Sequence, residues 1–119
     1  FYMKNFSNFS DFLVTPAPKP KTIYAWFAYP VMIKEGSPFT KKDFVNFLES
    51  NYIETRPVMS GDFTQHPVNE LYDHRVVGDL KNTKKIHSHA FFIGIHAGIT
   101  KAQREHVVLK FQEFFANYY

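Results

Sequence analysis

The sequence predicts a two-layer α+β domain in which about three mainly antiparallel strands carry helices packed on one face. Three observations point there. Runs dense in β-branched and aromatic residues recur at 23–33, 52–59 and 91–96, the composition of strands. Thr40-Lys-Lys-Asp43 and Thr100-Lys-Ala-Gln103 both carry a Thr followed three residues later by a polar acceptor, the capping-box pattern that opens a helix. The 119 residues suit one domain with one modest core.

Residues 1–22 read as a connecting arm, with the domain proper running over 23–119. The arm starts amphipathic and ends in Pro16-Ala17-Pro18-Lys19-Pro20, whose prolines favour extended backbone and refuse a helix interior or a central strand. Ile23 to Ile33 reads as the first strand, with Pro30 marking an edge or a bulge. Glu35-Gly36-Ser37-Pro38 turns the chain. Thr40 then caps a helix over about 40–51, in which Phe44, Phe47 and Leu48 keep helical spacing.

Tyr52 to Met59 is the second predicted strand, ending at a Gly61 turn. Positions 61–81 show no sustained period and carry Gly, Pro, Asp and Asn, so they read as a long loop with one helical turn near Val68–Tyr72. Asn82 is read as the cap of a short helix reaching about Ser88. Phe91 to His96 is the third strand, where Gly94 permits close approach of other backbone. The final helix opens at Thr100 and presents Val107, Val108, Phe111, Phe114 and Phe115 on one face.

Composition excludes several classes of chemistry. The 14 Lys and Arg against 11 Asp and Glu leave a formal charge of +3, and the basic residues are scattered, so no nucleic-acid partner is expected. Cysteine is absent, which excludes disulfides, thiol catalysis and Cys-ligated metals within this chain and fits a cytoplasmic setting. The longest apolar run, Ala25 to Ile33, is too short to span a bilayer, and no membrane partner is expected. No P-loop, GxGxxG, GxSxG or HExxH motif occurs. The chain opens on Phe1 and carries 14 Phe, 7 Tyr and 1 Trp, a heavy load for a small interior. Some of these are expected to form an apolar face that meets another domain or a second copy in a homodimer. Compositional bias is the alternative.

Polar groups concentrate between Thr55 and Pro67. Arg56, beside Pro57, offers a planar fork able to hold a carboxylate or phosphate; an arginine paired with a nearby acid on the surface is the other reading. Gly61, Asp62, Gln65 and His66 bring backbone freedom, an acid, an amide and an imidazole into one loop, suited to a polyhydroxylated ligand or to ordinary turn chemistry. His87, His89 and His96 invite a zinc site, but no carboxylate or cysteine stands near to complete one, so no metal ligands are expected. A free-standing binding module, such as a ferredoxin-like RNA binder, is the alternative from another class. Against it, Phe91 to Gly98 lacks the basic-glycine-aromatic order of an RNA-binding strand.

Taken together, ETRPVMSGDFTQHPV at 54–68, HRVVGDLKNTKKI at 74–86 and FFIGIHAGITKAQREHVV at 91–108 resemble the C-terminal segment of the nucleotide-sugar 3-dehydrases. The likeness is to the CDP-4-keto-6-deoxyglucose 3-dehydrase type of O-antigen and lipopolysaccharide dideoxysugar synthesis, relatives of the DegT-group sugar aminotransferases. It implies the small domain of a fold-type I pyridoxal or pyridoxamine phosphate enzyme. The large domain, absent from this chain, would carry the cofactor and a catalytic histidine where aminotransferases have a Schiff-base lysine. By the same resemblance this chain has no catalytic or cofactor-binding residue of its own and is inactive alone, and it closes over the active site. Arg56, Gly61, Gln65 and His66 then become substrate-binding candidates. Gly61-Asp62 departs from the Gly-Asn common in the family, and an acid there would repel a phosphate.

Overall fold

The computed structural model describes residues 1–119 and places four strands in one antiparallel sheet, ordered β1-β2-β4-β3. These are β1 (Leu13–Val14), β2 (Tyr29–Ile33), β3 (Thr55–Pro57) and β4 (Ala90–Ile93). The helices are α1 (Tyr2–Phe6), α2 (Lys41–Ser50), α3 (Lys81–His89) and α4 (Lys101–Phe115). The α+β class is as expected, and the additional strand comes from the arm.

The arm divides in two. Its first half enters the domain: Tyr2, Phe6, Phe9 and Leu13 are buried, and Leu13 and Val14 pair with Ile33 and Met32. Its proline-rich second half stays outside, and so do the residues after it, with Ile23 and Phe27 largely exposed. The strand expected at 23–33 therefore shrinks to 29–33. β4 ends opposite Tyr29, so residues 23–28 have strand composition but no neighbour to bond. β1 reaches only as far as Met32, so at Pro30 β2 is an edge on that side, where a missing N–H forfeits no ladder bond.

Two other boundaries move for local reasons. Tyr52 takes a left-handed φ of 62° and Ile53 N–H returns to Leu48 O at 3.0 Å, so residues 52–53 close α2 in a Schellman motif and do not start a strand. Asn82 is not the cap of α3. That position falls to Leu80, left-handed at φ 51°, while the Asp79 carboxylate accepts from Lys81 N–H at 3.1 Å. Both predicted capping boxes form, Thr40 with Asp43 and Thr100 with Gln103. The expected helical turn near 68–72 is a 3₁₀ segment, Pro67–Leu71.

Alternation along the strands sorts the two faces of the sheet. Tyr29, Val31, Ile33, Phe91 and Ile93 are buried against α1, α2 and α4, with Phe6 stacked on Phe111 at 4.2 Å and Phe44 edge-on to Phe111 at 4.8 Å. Eight phenylalanines lie in this core with Tyr2 and Tyr29, while Phe1, Phe27, Tyr52, Phe63, Tyr72 and Tyr119 stay exposed. The opposite face is open. Val14, Pro30, Met32 and Phe92, rimmed by Val58 and by Ile86 of α3, line an apolar groove of about 360 Å³. An apolar face was expected to be made of Phe and Tyr; it is mainly aliphatic, because α4 takes the aromatics inward.

Candidate functional site

Arg56 lies on β3, an edge strand, in register with Phe92 and, across β4, with Pro30. That row belongs to the open face, so the guanidinium leaves the sheet on the side away from α1, α2 and α4. Its side chain is 76% exposed and donates to Glu54 Oε1. An exposed pair of this kind contributes little to stability, so the fork is held without being committed. Glu54 in turn lines the largest groove of the chain, about 630 Å³, together with Tyr2, His96, Gln103 and His106. None of the four substrate-binding candidates lines that groove.

The 60–66 loop is built around Asp62, whose side chain is closed off from solvent. One carboxylate oxygen accepts from Thr64 N at 3.1 Å and Thr64 Oγ1 at 2.6 Å, and the other accepts from Gln65 Nε2 at 2.9 Å. The Thr64 hydroxyl and then the Gln65 amide hold this carboxyl below the usual aspartate range. The acid is thus an internal acceptor that uses both oxygens, which an asparagine could not do. Its hydrogen-bonding capacity is spent inside the loop. His66 Nε2 lies 2.8 Å from Ser60 O and its ring stacks on Phe63. Gln65 and His66 therefore shape the loop that carries them.

Gly61 is required where it stands. Its φ is 53°, and a Cβ built there would lie 2.3 Å from Nδ1 of His87. That nitrogen also accepts Asp62 N–H at 3.0 Å. The structure thus gathers Gly61, Asp62, Gln65 and His66 beside α3 and leaves Arg56 apart on β3. From the sequence His87 is a weak zinc candidate set against a surface or hydrogen-bonded imidazole; the second holds, with a partner that the sequence does not name. Asp62-Phe63-Thr64 does carry a readable signal, an Asx turn. Partners 25 residues apart carry none.

Three depressed carboxyls make a pH prediction. Glu35 is lowered by Lys85, Asp43 by the Thr40 hydroxyl and backbone, and Asp62 as above. Each has a folded value below the unfolded one. Each therefore contributes stability above the ordinary carboxylate range and loses it as the pH falls through its folded value, below about pH 4. Urea midpoints should drop over that window, and Asp62→Asn should make the dependence shallower. An unchanged dependence in the variant would show that Asp62 is not held as described.

A one-sided antiparallel sheet with helices on its covered face is the architecture, and it is shared with solved dehydratase and aminotransferase structures. An Escherichia coli GDP-4-keto-6-deoxy-D-mannose-3-dehydratase solved with bound hydrated PLP shares it at a TM-score of 0.73, with 24% identity over 92% of this chain and 27% of that one. An aminotransferase from Psychrobacter cryohalolentis shares it at 0.81, with 11% identity over 97% of this chain and 32% of that one. At these identities the likeness is one of fold. Residues 1–112 match the DegT/DnrJ/EryC1/StrS aminotransferase family, and the chain belongs to it. It is 37% identical over 106 residues to the lipopolysaccharide biosynthesis protein RfbH of Salmonella typhimurium, covering 89% of this chain and 24% of that protein. To the dTDP-4-dehydro-2,6-dideoxy-D-glucose 3-dehydratase of Saccharopolyspora spinosa it is 34% identical, covering 87% of this chain and 22% of that protein. The chain spans about a quarter of the length of these curated relatives. No helix is long and apolar enough to cross a membrane.

Proposed function

We propose that this chain is the substrate-side small domain of a nucleotide-sugar 3-dehydratase of deoxysugar biosynthesis, closing over an active site whose cofactor is held by a separate, larger domain. The observation that carries the reading is the one-sided sheet. One face is sealed by α1, α2 and α4, while the other is apolar, open and edged by Arg56, an exposed arginine paired only with the equally exposed Glu54. The apolar part suits docking against another folded surface, and Arg56 at its edge suits an anionic group of the substrate held between the two. Gly61, Gln65 and His66 then shape the loop beside the substrate, with the Asp62 carboxylate turned inward as the loop's own acceptor. The dehydratase names of several relatives favour this over an aminotransferase.

Pyridoxal phosphate, where it is bound, supplies an electron sink. The largest groove of this chain does not fit it. A phosphate cradle needs free N–H or cationic donors. The largest groove is lined by no lysine or arginine. The start of α4 bordering it is occupied by its own capping box. We therefore assign this chain no step of the cofactor's chemistry and give it binding and exclusion of water.

The test uses the whole polypeptide with pyridoxamine phosphate and a nucleotide-linked 4-keto-6-deoxyhexose, followed by mass spectrometry. The sugar should lose its C3 oxygen, and the 119-residue chain alone should convert nothing. Replacement of the C4 oxygen by an amino group would make the parent an aminotransferase. Conversion by the short chain alone would overturn the reading.

A further inference from the structure

We infer that His87 is the positioning residue of the 60–66 loop, and that its neutral imidazole, accepting at Nδ1, decides where the loop stands against the sheet. Three observations converge on this side chain. Asp62 N–H donates to Nδ1 at 3.0 Å, which leaves the ring proton on Nε2. The Gly61 backbone lies on the same ring so closely that a Cβ would come within 2.3 Å of Nδ1 and 3.2 Å of Cγ. The His66 ring stands edge-on to it at 6.5 Å, so the far end of the loop meets the same imidazole.

The imidazole can serve as a fixed post because its own backbone is tied down. Lys41, at the first turn of α2, donates from Nζ to His87 O and reaches Ala90 O at 3.5 Å. Burial lowers the Lys41 pKa, and the two carbonyls are what the ammonium gains in return. These carbonyls lie at the end of α3, where the helix leaves its last acceptors unpaired and welcomes a cation. α3 then runs directly into β4 at Ala90. The chain of contact goes from the sheet and α2, through the end of α3, to one ring nitrogen and so to the loop. Asp62 organises the loop internally; His87 attaches it.

The inference rests on the proposed function only in its kinetic arm, so two readouts are taken on the whole polypeptide. His87→Phe keeps a flat ring against Gly61 but removes the acceptor. His87→Asn places an amide oxygen close to where Nδ1 stands, and His87→Gln carries it one bond too far. In hydrogen exchange, the peptide spanning 58–66 should exchange about fivefold to tenfold faster in the Phe and Gln variants, the loss expected for one net hydrogen bond. Native protection should return in the Asn variant. KM for the nucleotide sugar should rise in the same two variants, with kcat nearly held. Native protection in His87→Phe and His87→Gln alike overturns the inference, and so does failure of the Asn variant to differ from Gln. If protection falls and KM does not move, the loop is positioned by His87 but does not face substrate. That outcome sinks the substrate role of the loop and leaves the positioning intact. The Asn and Gln pair keeps the comparison decisive should the Phe variant fail to fold.

Discussion

Arg56→Ala, made in the whole enzyme, should weaken nucleotide-sugar binding about tenfold to a hundredfold, the roughly 1.5 to 3 kcal/mol carried by a charge-assisted hydrogen bond to a fixed fork. The structure sharpens this expectation in two ways. The guanidinium stands on a strand, so its origin is fixed by the register with Phe92. Its present partner, Glu54, is 73% exposed and is easily exchanged for a substrate anion. Stability should hardly change, because no buried contact is lost. Arg56→Lys should recover only part of the affinity, since the charge survives but the planar geometry does not. The loss should fall on apparent affinity and leave kcat nearly unchanged. Steady-state kinetics of the three proteins, with thermal melts alongside, check this. A variant that melts early while its folded fraction binds normally would make Arg56 a structural partner and remove it from the site.

Phe44→Ala should cost about 3 to 5 kcal/mol of folding stability, a large part of the roughly 5 to 15 kcal/mol that a domain possesses. Phe44 is fully buried and is the centre of the aromatic core. Its ring meets those of Phe114 at 4.5 Å, Phe111 at 4.8 Å, Phe115 at 5.0 Å and Phe91 at 5.7 Å. It therefore joins α2, α4 and β4 at one point. Removing it leaves a cavity that four rigid rings cannot close by small rotations. Phe44→Leu should cost clearly less, since most of the volume is kept. Equilibrium unfolding in urea measures both. A loss near zero for alanine would mean that the α2–α4 packing described here is wrong.

The sequence by itself determined whatever depends on neighbours within a turn or two. Thr40 and Asp43, or Thr100 and Gln103, satisfy each other across three residues, so both long helices could be placed to within a residue at their starts. The α+β class and the inward face of α4 followed from periodicity, and the family resemblance from strings of residues read in combination. Tertiary structure alone decided which strand-like residues are strand. Residues 23–28 have the composition, but a strand exists only where another strand offers its hydrogen bonds, and β4 ends at Ile93, opposite Tyr29. It also decided that the arm contributes β1, because Leu13 is drawn into a core formed by residues far along the chain. At the candidate site, the loop's polar residues were legible as a cluster, yet their partners were not. Whether His87 would bind a metal or hold Asp62 N–H turns on a contact between segments 25 residues apart. Such contacts leave no periodic mark in the sequence, because folding, and not spacing along the chain, brings the two groups within 3.0 Å.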